Sequence, residues 1–177
     1  MRAWMLAALA ALTFAGAARA EVVDKGAYGF RLKFVQQVAA PPDKVFRAIG
    51  EIGRWWSDAH TYSGKAANMT MPLTANACFC EALPTGGGVR HGAVEAVMPN
   101  LLVRVDAPLG PLQDEGVGAA LAFNLKPKDG GTELTVTYNV GGARDFIVSA
   151  APGIDGVLGE AVVRLKRYVE TGAPSLP

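Results

Sequence analysis

Apolar and polar residues alternate along several stretches between positions 30 and 140, and this period of two is typical of strands with one buried face. In the first stretch, Phe30, Leu32 and Phe34 alternate with polar residues. Glycine-rich turns at 84–88 and 128–131 each separate two such stretches, which predicts two hairpins. The predicted strands are 30–38, 68–73, 77–83, 89–98, 101–107, 119–126 and 132–140.

The period changes to three or four residues on both sides of the main run of strands. Pro41 and Pro42 stop the first strand, and apolar residues at helical spacing then predict short helices over about 42–49 and 51–56. A longer amphipathic helix is predicted over about 152–170. Its apolar face consists of Ile154, Leu158, Ala161, Leu165 and Tyr168 or Val169.

The order of elements is one strand, two short helices, about six further strands and one long helix, which is an α+β pattern. The long helix is the only predicted element able to cover the apolar face of an extended sheet. We therefore expect a curved antiparallel sheet wrapped around the C-terminal helix. Such an arrangement often leaves a cavity, and ligand cavities are mostly apolar with a few placed polar groups.

Several short motifs accompany this order of elements: residues 39–46, Trp55-Trp56, 92–99, 131–134 and 165–168. Together with the order, they resemble the START-like (helix-grip, or SRPBCC) superfamily. The superfamily includes the birch-pollen allergen group, and the chain is most similar to its polyketide cyclase and chaperone-ATPase-activator branches. The resemblance covers about residues 30–172 and implies one helix-grip domain over 21–177. It implies neither a reaction nor a cofactor, because the superfamily has no shared catalytic motif.

Residues 1–20 have the three-part layout of a secretory signal: Arg2, an apolar run, and the small-x-small site that ends at Ala20. The apolar run is shorter than the roughly 20 residues of a membrane-spanning helix. The only cysteines are Cys78 and Cys80, so the cleavage point lacks the cysteine of a lipoprotein. We expect cleavage after Ala20 and a mature domain that is periplasmic or secreted.

The balance of basic and acidic residues bears on which partners the chain could bind. The chain has 17 basic and 16 acidic residues, and loss of Arg2 and Arg19 with the signal leaves 15 against 16. A balance so close to neutral gives no electrostatic reason to bind nucleic acid or an anionic membrane. The sequence also lacks a phosphate-binding glycine loop and a nucleophile elbow, and we expect no cofactor.

The Cys78-Phe79-Cys80 motif is compatible with three interpretations. In a regular strand the two Cα atoms are about 6.6 Å apart, which lies near the upper limit for a disulfide, and a bulge would shorten the distance. An oxidising compartment favours the bridge, and a strained bridge would be labile. Two packed thiols are the second interpretation. A metal site is the third, with His91 as the only nearby further ligand.

Glu81 and His91 become direct cross-strand neighbours if the hairpin folds symmetrically about Gly86. In that register Leu83 pairs with Val89, and both cysteines face away from His91. A carboxylate beside an imidazole is the arrangement of a general base, but it is equally an ordinary surface pair.

Aromatic residues provide candidate ligand contacts. Trp55 and Trp56, near Tyr62, are suited either to a cavity wall or to core packing. Phe123 and Tyr138 lie on the apolar faces of late strands, and a buried Tyr138 requires a partner for its hydroxyl. The glycine- and proline-rich segment 107–118 is either a lid over a cavity or a plain loop.

Together these features favour an exported protein that binds a small apolar or amphiphilic molecule. Its expected ligand contacts are Trp55, Trp56, Phe79, Glu81, His91, Phe123 and Tyr138. A cyclase- or dehydratase-type enzyme that uses Glu81 and His91 as an acid–base pair is the alternative. A redox or metal module built on Cys78 and Cys80 is a third hypothesis.

Overall fold

The computed structural model describes residues 21–175, which form one eight-stranded antiparallel sheet and three α-helices. The predicted signal peptide lies outside the described residues. The strand order in the sheet is β1-β2-β8-β7-β6-β5-β4-β3. The strands are β1 (Glu21–Gly26), β2 (Gly29–Val38), β3 (Met69–Thr70), β4 (Cys78–Ala82), β5 (Gly88–Met98), β6 (Leu102–Asp106), β7 (Gly118–Lys128) and β8 (Gly131–Gly141). The helices are α1 (Pro42–Gly50), α2 (Asp145–Ser149) and α3 (Ala151–Thr171).

The α+β class and the gripped C-terminal helix agree with the sequence pattern. Even-numbered residues of β2 are buried and odd-numbered ones are exposed from Phe30 to Val38, as a strand with one core-facing side requires. Helix α3 packs against β2 and α1. Gly172 caps its C-terminal end with a positive φ of 82°, and the Gly172 N–H donates to the carbonyl oxygen of Tyr168 at 2.8 Å. The buried face of α3 consists of Ala151, Leu158, Ala161, Val162, Leu165 and Val169.

The strand count was predicted incorrectly. Strand β1 precedes the first predicted strand, and its polar sequence, EVVDKG, shows little alternation. It forms because it pairs with β2 along the edge of the sheet, from Glu21 opposite Lys33 to Gly26 opposite Gly29. A strand held mainly by backbone hydrogen bonds leaves a weak signal in the side-chain pattern.

Smaller differences lie on both sides of the sheet. The predicted strand 68–73 shortens to β3, and the predicted helix 51–56 is a 3₁₀ turn, Ile52–Arg54. Helix α2 was not predicted. Another 3₁₀ helix, Gly110–Glu115, occupies the middle of the predicted loop 107–118. Within residues 21–175, no helix combines the length and the apolarity needed to cross a membrane.

The register of the β4–β5 hairpin also differs from the symmetric prediction. Glu81 pairs with Val89 rather than with His91, and a bulge follows, so that Phe79 pairs with Gly92. The turn determines this shift, because Gly86 and Gly87 both adopt positive φ and the turn is centred one residue earlier than expected. The partner of Glu81 is therefore displaced by two residues from the expected one. A shift of two residues keeps Glu81 on the expected face of the sheet.

Candidate functional site

A cavity of about 420 Å³ lies between the first half of α3 and two connecting segments. Ile154, Val157 and Leu158 form its helical wall. Residues 59–62 and 109–111 provide much of the remaining wall, where most side chains are apolar. The cavity therefore lies where the sheet grips the terminal helix, and its size is within the range of small-molecule pockets.

Two tryptophans set the position of the cavity wall opposite α3. Trp56 lines the cavity, and Trp55 packs edge-to-face against it with ring centroids 5.8 Å apart. Arg164 of α3 donates hydrogen bonds to the carbonyl oxygens of Trp55 at 2.8 Å and of Trp56 at 3.0 Å. The guanidinium thereby ties this wall to the gripped helix.

His91 is the extra residue in the β5 bulge, and its ring lines the cavity. Its Nε2 atom lies 2.9 Å from Oε2 of Glu81. Both residues are almost fully buried, with 4% of His91 and 1% of Glu81 exposed. The bulge allows a contact that the strand register alone does not provide, since Glu81 is paired with Val89.

The carboxylate of Glu81 is held by two backbone N–H groups in addition to His91. Tyr62 donates to Oε2 at 3.2 Å, and Ser63 donates to Oε1. Burial raises the pKa of Glu81, but the hydrogen bonds from Ser63, His91 and Tyr62 outweigh burial and lower the pKa below its ordinary value of 4.5. Glu81 is therefore an ionised carboxylate at neutral pH, buried but fully hydrogen-bonded.

The charge state of Glu81 determines which nitrogen of His91 carries the proton. A carboxylate accepts hydrogen bonds and cannot donate them, so the Nε2 atom of a neutral His91 ring is the protonated one. The other nitrogen, Nδ1, has no hydrogen-bond partner among residues 21–175, and it is not among the fully buried unpaired atoms. Nδ1 therefore keeps some accessible surface, and His91 as a residue lines the cavity.

The His91 ring is held between two aromatic side chains. The ring centroid of Phe79, buried beneath it, is 5.0 Å away, and that of Tyr62, on the cavity side, is 5.8 Å away. The Tyr62 hydroxyl donates to Oε1 of Gln113 at 3.0 Å, which joins the 57–65 segment to the 3₁₀ helix on the other side of the cavity. Tyr62 thus lines the cavity and also connects the two segments that border it.

The structure distributes the seven predicted contact residues over three positions. Trp56 and His91 line the cavity. Glu81 and Phe79 lie directly behind His91 and support it. The remaining residues, Trp55, Phe123 and Tyr138, are buried in the core and are not part of the cavity lining.

Tyr138 acts on the cavity indirectly. Its buried hydroxyl donates to the Ala107 carbonyl at 2.8 Å and accepts from the Leu109 N–H at 3.2 Å. Burial raises the pKa of this hydroxyl, so it stays protonated. Tyr138 thereby anchors the start of the loop whose residues 109–111 line the cavity.

Several cavity residues were not identified as contacts from the sequence. Ile154 and Leu158 were recognised only as part of the apolar helical face, and Val157 carries no separate signal. Met69, Leu109 and Pro111 also line the cavity. Their loop and strand-end positions reach the site through the path of the chain, which the local sequence does not encode.

Cys78 and Cys80 are joined by a disulfide in the structure. Their Cα atoms are 5.3 Å apart, closer than in a regular strand, and the β4–β5 irregularity falls between Phe79 and Cys80. Phe79 faces the core, so the alternation of β4 directs both cysteines to the opposite face, away from His91. Over residues 21–175 there is no group of three histidine, cysteine, aspartate or glutamate residues placed to hold a metal ion.

Comparison with known proteins supports the fold. The sequence matches no protein-family model and no curated protein. A conserved protein of unknown function from Enterococcus faecalis has a similar structure, with a TM-score of 0.60 and 14% identity over 84% of this chain and 75% of that one. Protein MLL2253 from Mesorhizobium loti is similar with a TM-score of 0.56 and 19% identity, over 77% of this chain and 94% of that one. The Aha1 dimer from Colwellia psychrerythraea is similar with a TM-score of 0.55 and 17% identity, over 80% of this chain and 97% of that one.

These similarities define the class of protein by its fold: an antiparallel sheet that grips a C-terminal helix. At such low identity they carry no information about ligand, reaction or partner, because one fold supports many functions.

Proposed function

We propose that this chain is an exported START-like protein that binds a small apolar or amphiphilic molecule between its sheet and α3. The observation that carries the proposal is the cavity of about 420 Å³, mostly apolar, with a buried histidine–glutamate pair at its wall. An apolar wall favours ligand burial at roughly 25 cal/mol for each Å² removed from water. The few polar groups then orient the ligand.

The export part of the proposal rests on the first 20 residues, which have the layout of a cleavable signal. Intact mass measurement of protein recovered from the periplasm or medium of an expressing bacterium tests it. A chain that begins at Glu21 supports export with cleavage. A full-length chain found only in the cytoplasm contradicts it.

Two substitutions on α3 test ligand binding. Val157 lines the cavity, whereas Val163 on the same helix is 37% exposed and lies outside the cavity lining. We expect Val157→Trp to fill the cavity and to abolish the binding of co-purifying ligand, measured by native mass spectrometry. Val163→Trp adds the same indole to the solvent side and should leave binding unchanged.

The outcome that contradicts ligand binding is equally clear. Ligand binding is contradicted if native mass spectra of the unaltered protein, purified from its exporting cell, repeatedly show only the chain without a bound molecule. Equal ligand occupancy in Val157→Trp and Val163→Trp would instead locate the ligand outside this cavity.

A second candidate function is an enzyme that resembles the cyclase branch. The distance of 2.9 Å between Nε2 of His91 and Oε2 of Glu81 favours it, because the pair has the form of an imidazole base oriented by a carboxylate. In this scheme Nδ1 of His91 would accept a proton from an enolisable substrate in the cavity, and Glu81 would stabilise the resulting imidazolium.

The enzymatic alternative makes a kinetic prediction. If His91 is the base, His91→Ala should lower the turnover of an identified substrate by roughly 100-fold or more. An unaltered rate would remove His91 from the mechanism. The hypothesis of a redox module has weaker support, since the disulfide lies on the face of β4 opposite the cavity.

A further inference from the structure

Three polar side chains near His91 in the cavity share one property: each has already donated its hydrogen to another protein group. The indole Nε1 of Trp56 donates to the His60 carbonyl at 2.9 Å. The hydroxyl of Thr61 donates to the Asp58 carbonyl at 2.8 Å. Neither group retains a hydrogen that could be offered to a ligand.

The hydroxyl of Tyr62 follows the same pattern. It donates to Oε1 of Gln113 at 3.0 Å, and the amide nitrogen of Gln113 in turn donates to the Arg90 carbonyl at 3.1 Å. The second bond orients the amide so that its oxygen faces Tyr62. The Tyr62 oxygen is therefore left with lone pairs only.

His91 completes the set. Nε2 of His91 forms a hydrogen bond of 2.9 Å with Glu81, whereas Nε2 of His60 only lies near the Glu160 carboxylate, at 3.3 Å. The Glu81 carboxylate holds the proton on Nε2 of His91, the nitrogen that faces it. In His91 this leaves Nδ1 as an unprotonated acceptor on a residue that is only 4% exposed.

We propose that the cavity selects apolar molecules that carry a hydrogen-bond donor, such as a hydroxyl group, and that this donor binds Nδ1 of His91. Glu81 acts as the specificity-determining residue because it selects the tautomer. A ligand whose polar group is only an acceptor, such as an ether, would leave Nδ1 unpaired in a buried site. This inference rests on the proposed ligand-binding function and specifies its ligand class.

A matched pair of probes tests the inference. 2-Naphthol and 2-methoxynaphthalene share one apolar skeleton, but only the naphthol can donate a hydrogen bond. We expect the unaltered protein to bind 2-naphthol about tenfold more tightly, because a buried acceptor left without a partner is unfavourable. Titration calorimetry or competition fluorescence measures the ratio.

Glu81→Gln should remove the selectivity. The amide nitrogen of glutamine can donate to Nε2 of His91, which moves the ring proton to Nδ1 and turns this atom into a donor. The ratio of the two affinities should then fall close to one. Glu95→Gln is the control, since Glu95 lies on the same strand as His91 but forms an exposed pair with Arg104, and the native ratio should persist.

A measurement on the unaltered protein keeps the inference testable even if Glu81→Gln does not fold. Nuclear magnetic resonance of ¹⁵N-histidine-labelled protein reports which ring nitrogen of His91 is protonated, and His60→Gln assigns the signals of the two histidines. We expect a protonated Nε2 and an unprotonated Nδ1. Addition of 2-naphthol should shift the Nδ1 signal, whereas 2-methoxynaphthalene should not.

The outcomes separate the inference from the proposed function. Equal affinity for the two probes, or a proton on Nδ1 of unliganded His91, overturns donor selection and leaves ligand binding intact. If neither probe fits the cavity, the position of the ring proton decides the inference. If native mass spectra also show only the bare chain, the proposed function fails and the inference fails with it.

Discussion

Nε2 of His91 lies 2.9 Å from Oε2 of Glu81, although the two residues are not partners across the β4–β5 hairpin. The contact exists because His91 is the extra residue of a bulge, which places its ring over Phe79 and beside the carboxylate of Glu81. Glu81 also accepts hydrogen bonds from the backbone of Tyr62 and Ser63. The pair therefore connects the hairpin to the loop that lines the cavity.

Removal of the Glu81 carboxylate should destabilise the fold. In Glu81→Ala, the N–H groups of Tyr62 and Ser63 and the Nε2 of the buried His91 lose their common acceptor, and we expect a loss of about 2–4 kcal/mol in the free energy of unfolding. Urea denaturation measures it. Glu95→Ala, which breaks an exposed ion pair with Arg104, should stay within about 1 kcal/mol. Similar losses in both variants would contradict the structural role of Glu81.

The lowered pKa of Glu81 predicts a dependence of stability on pH. Its carboxylate is favoured in the folded state, so its contribution is fully present above the unfolded-state value near 4.5 and is lost as the pH falls through the lowered folded-state value. As the pH is lowered from neutral, the difference in free energy of unfolding between the unaltered protein and Glu81→Gln should therefore narrow, with the change confined to pH below about 4.5. A difference that is constant down to acidic pH would show that the pKa of Glu81 is not lowered by folding.

Gly92 is required by the close approach of two strands. A Cβ atom at this position would lie too close to the carbonyl oxygen of Asp106 in β6. Their separation would be much shorter than real contacts between such atoms. We expect Gly92→Ala to lower the free energy of unfolding by about 1–3 kcal/mol through overpacking, and to displace the neighbouring His91. Urea denaturation together with probe binding measures both effects. Gly118→Ala, where the added methyl group meets no atom, is the matched control and should leave both unchanged.

The Cys78–Cys80 disulfide should contribute modestly to stability. It closes a very short loop, for which the loss of unfolded-chain entropy corresponds to roughly 1–2 kcal/mol. The double variant Cys78→Ser, Cys80→Ser should lower the free energy of unfolding by that amount. It should leave the 2-naphthol preference intact, because both cysteines face away from the cavity.

Alkylation provides the direct check on the disulfide. Unfolded protein should take up iodoacetamide only after reduction, and the mass difference counts the modified thiols. Two thiols that react without reduction would exclude the bridge in the exported protein.

The local pattern of apolar and polar residues was sufficient to predict much of the fold. The alternation in β2, the helical period of α3 and the glycine turns of the two hairpins follow from the neighbours of each residue along the chain. Symmetric pairing about Gly86 also selected Glu81 and His91 as neighbours, but the register differs by two residues and the contact depends on the bulge at His91. Strand β1 was missed because edge pairing depends on backbone hydrogen bonds rather than on side chains.

The candidate site was predicted less completely, for a physical reason. Trp56 and His91 line the cavity, whereas Phe123 and Tyr138, on equally apolar strand faces, pack in the core. Alternation determines which side of a strand is buried, but only the path of α3 and the loops decides whether a buried side chain meets another side chain or an open space. Thus the sequence by itself determined the elements, the faces of the strands and the chemistry of Glu81 and His91. The tertiary structure alone decided the bulge, the hydrogen bonds that occupy the polar cavity side chains, and the position of the cavity, because these depend on contacts between residues far apart in the chain.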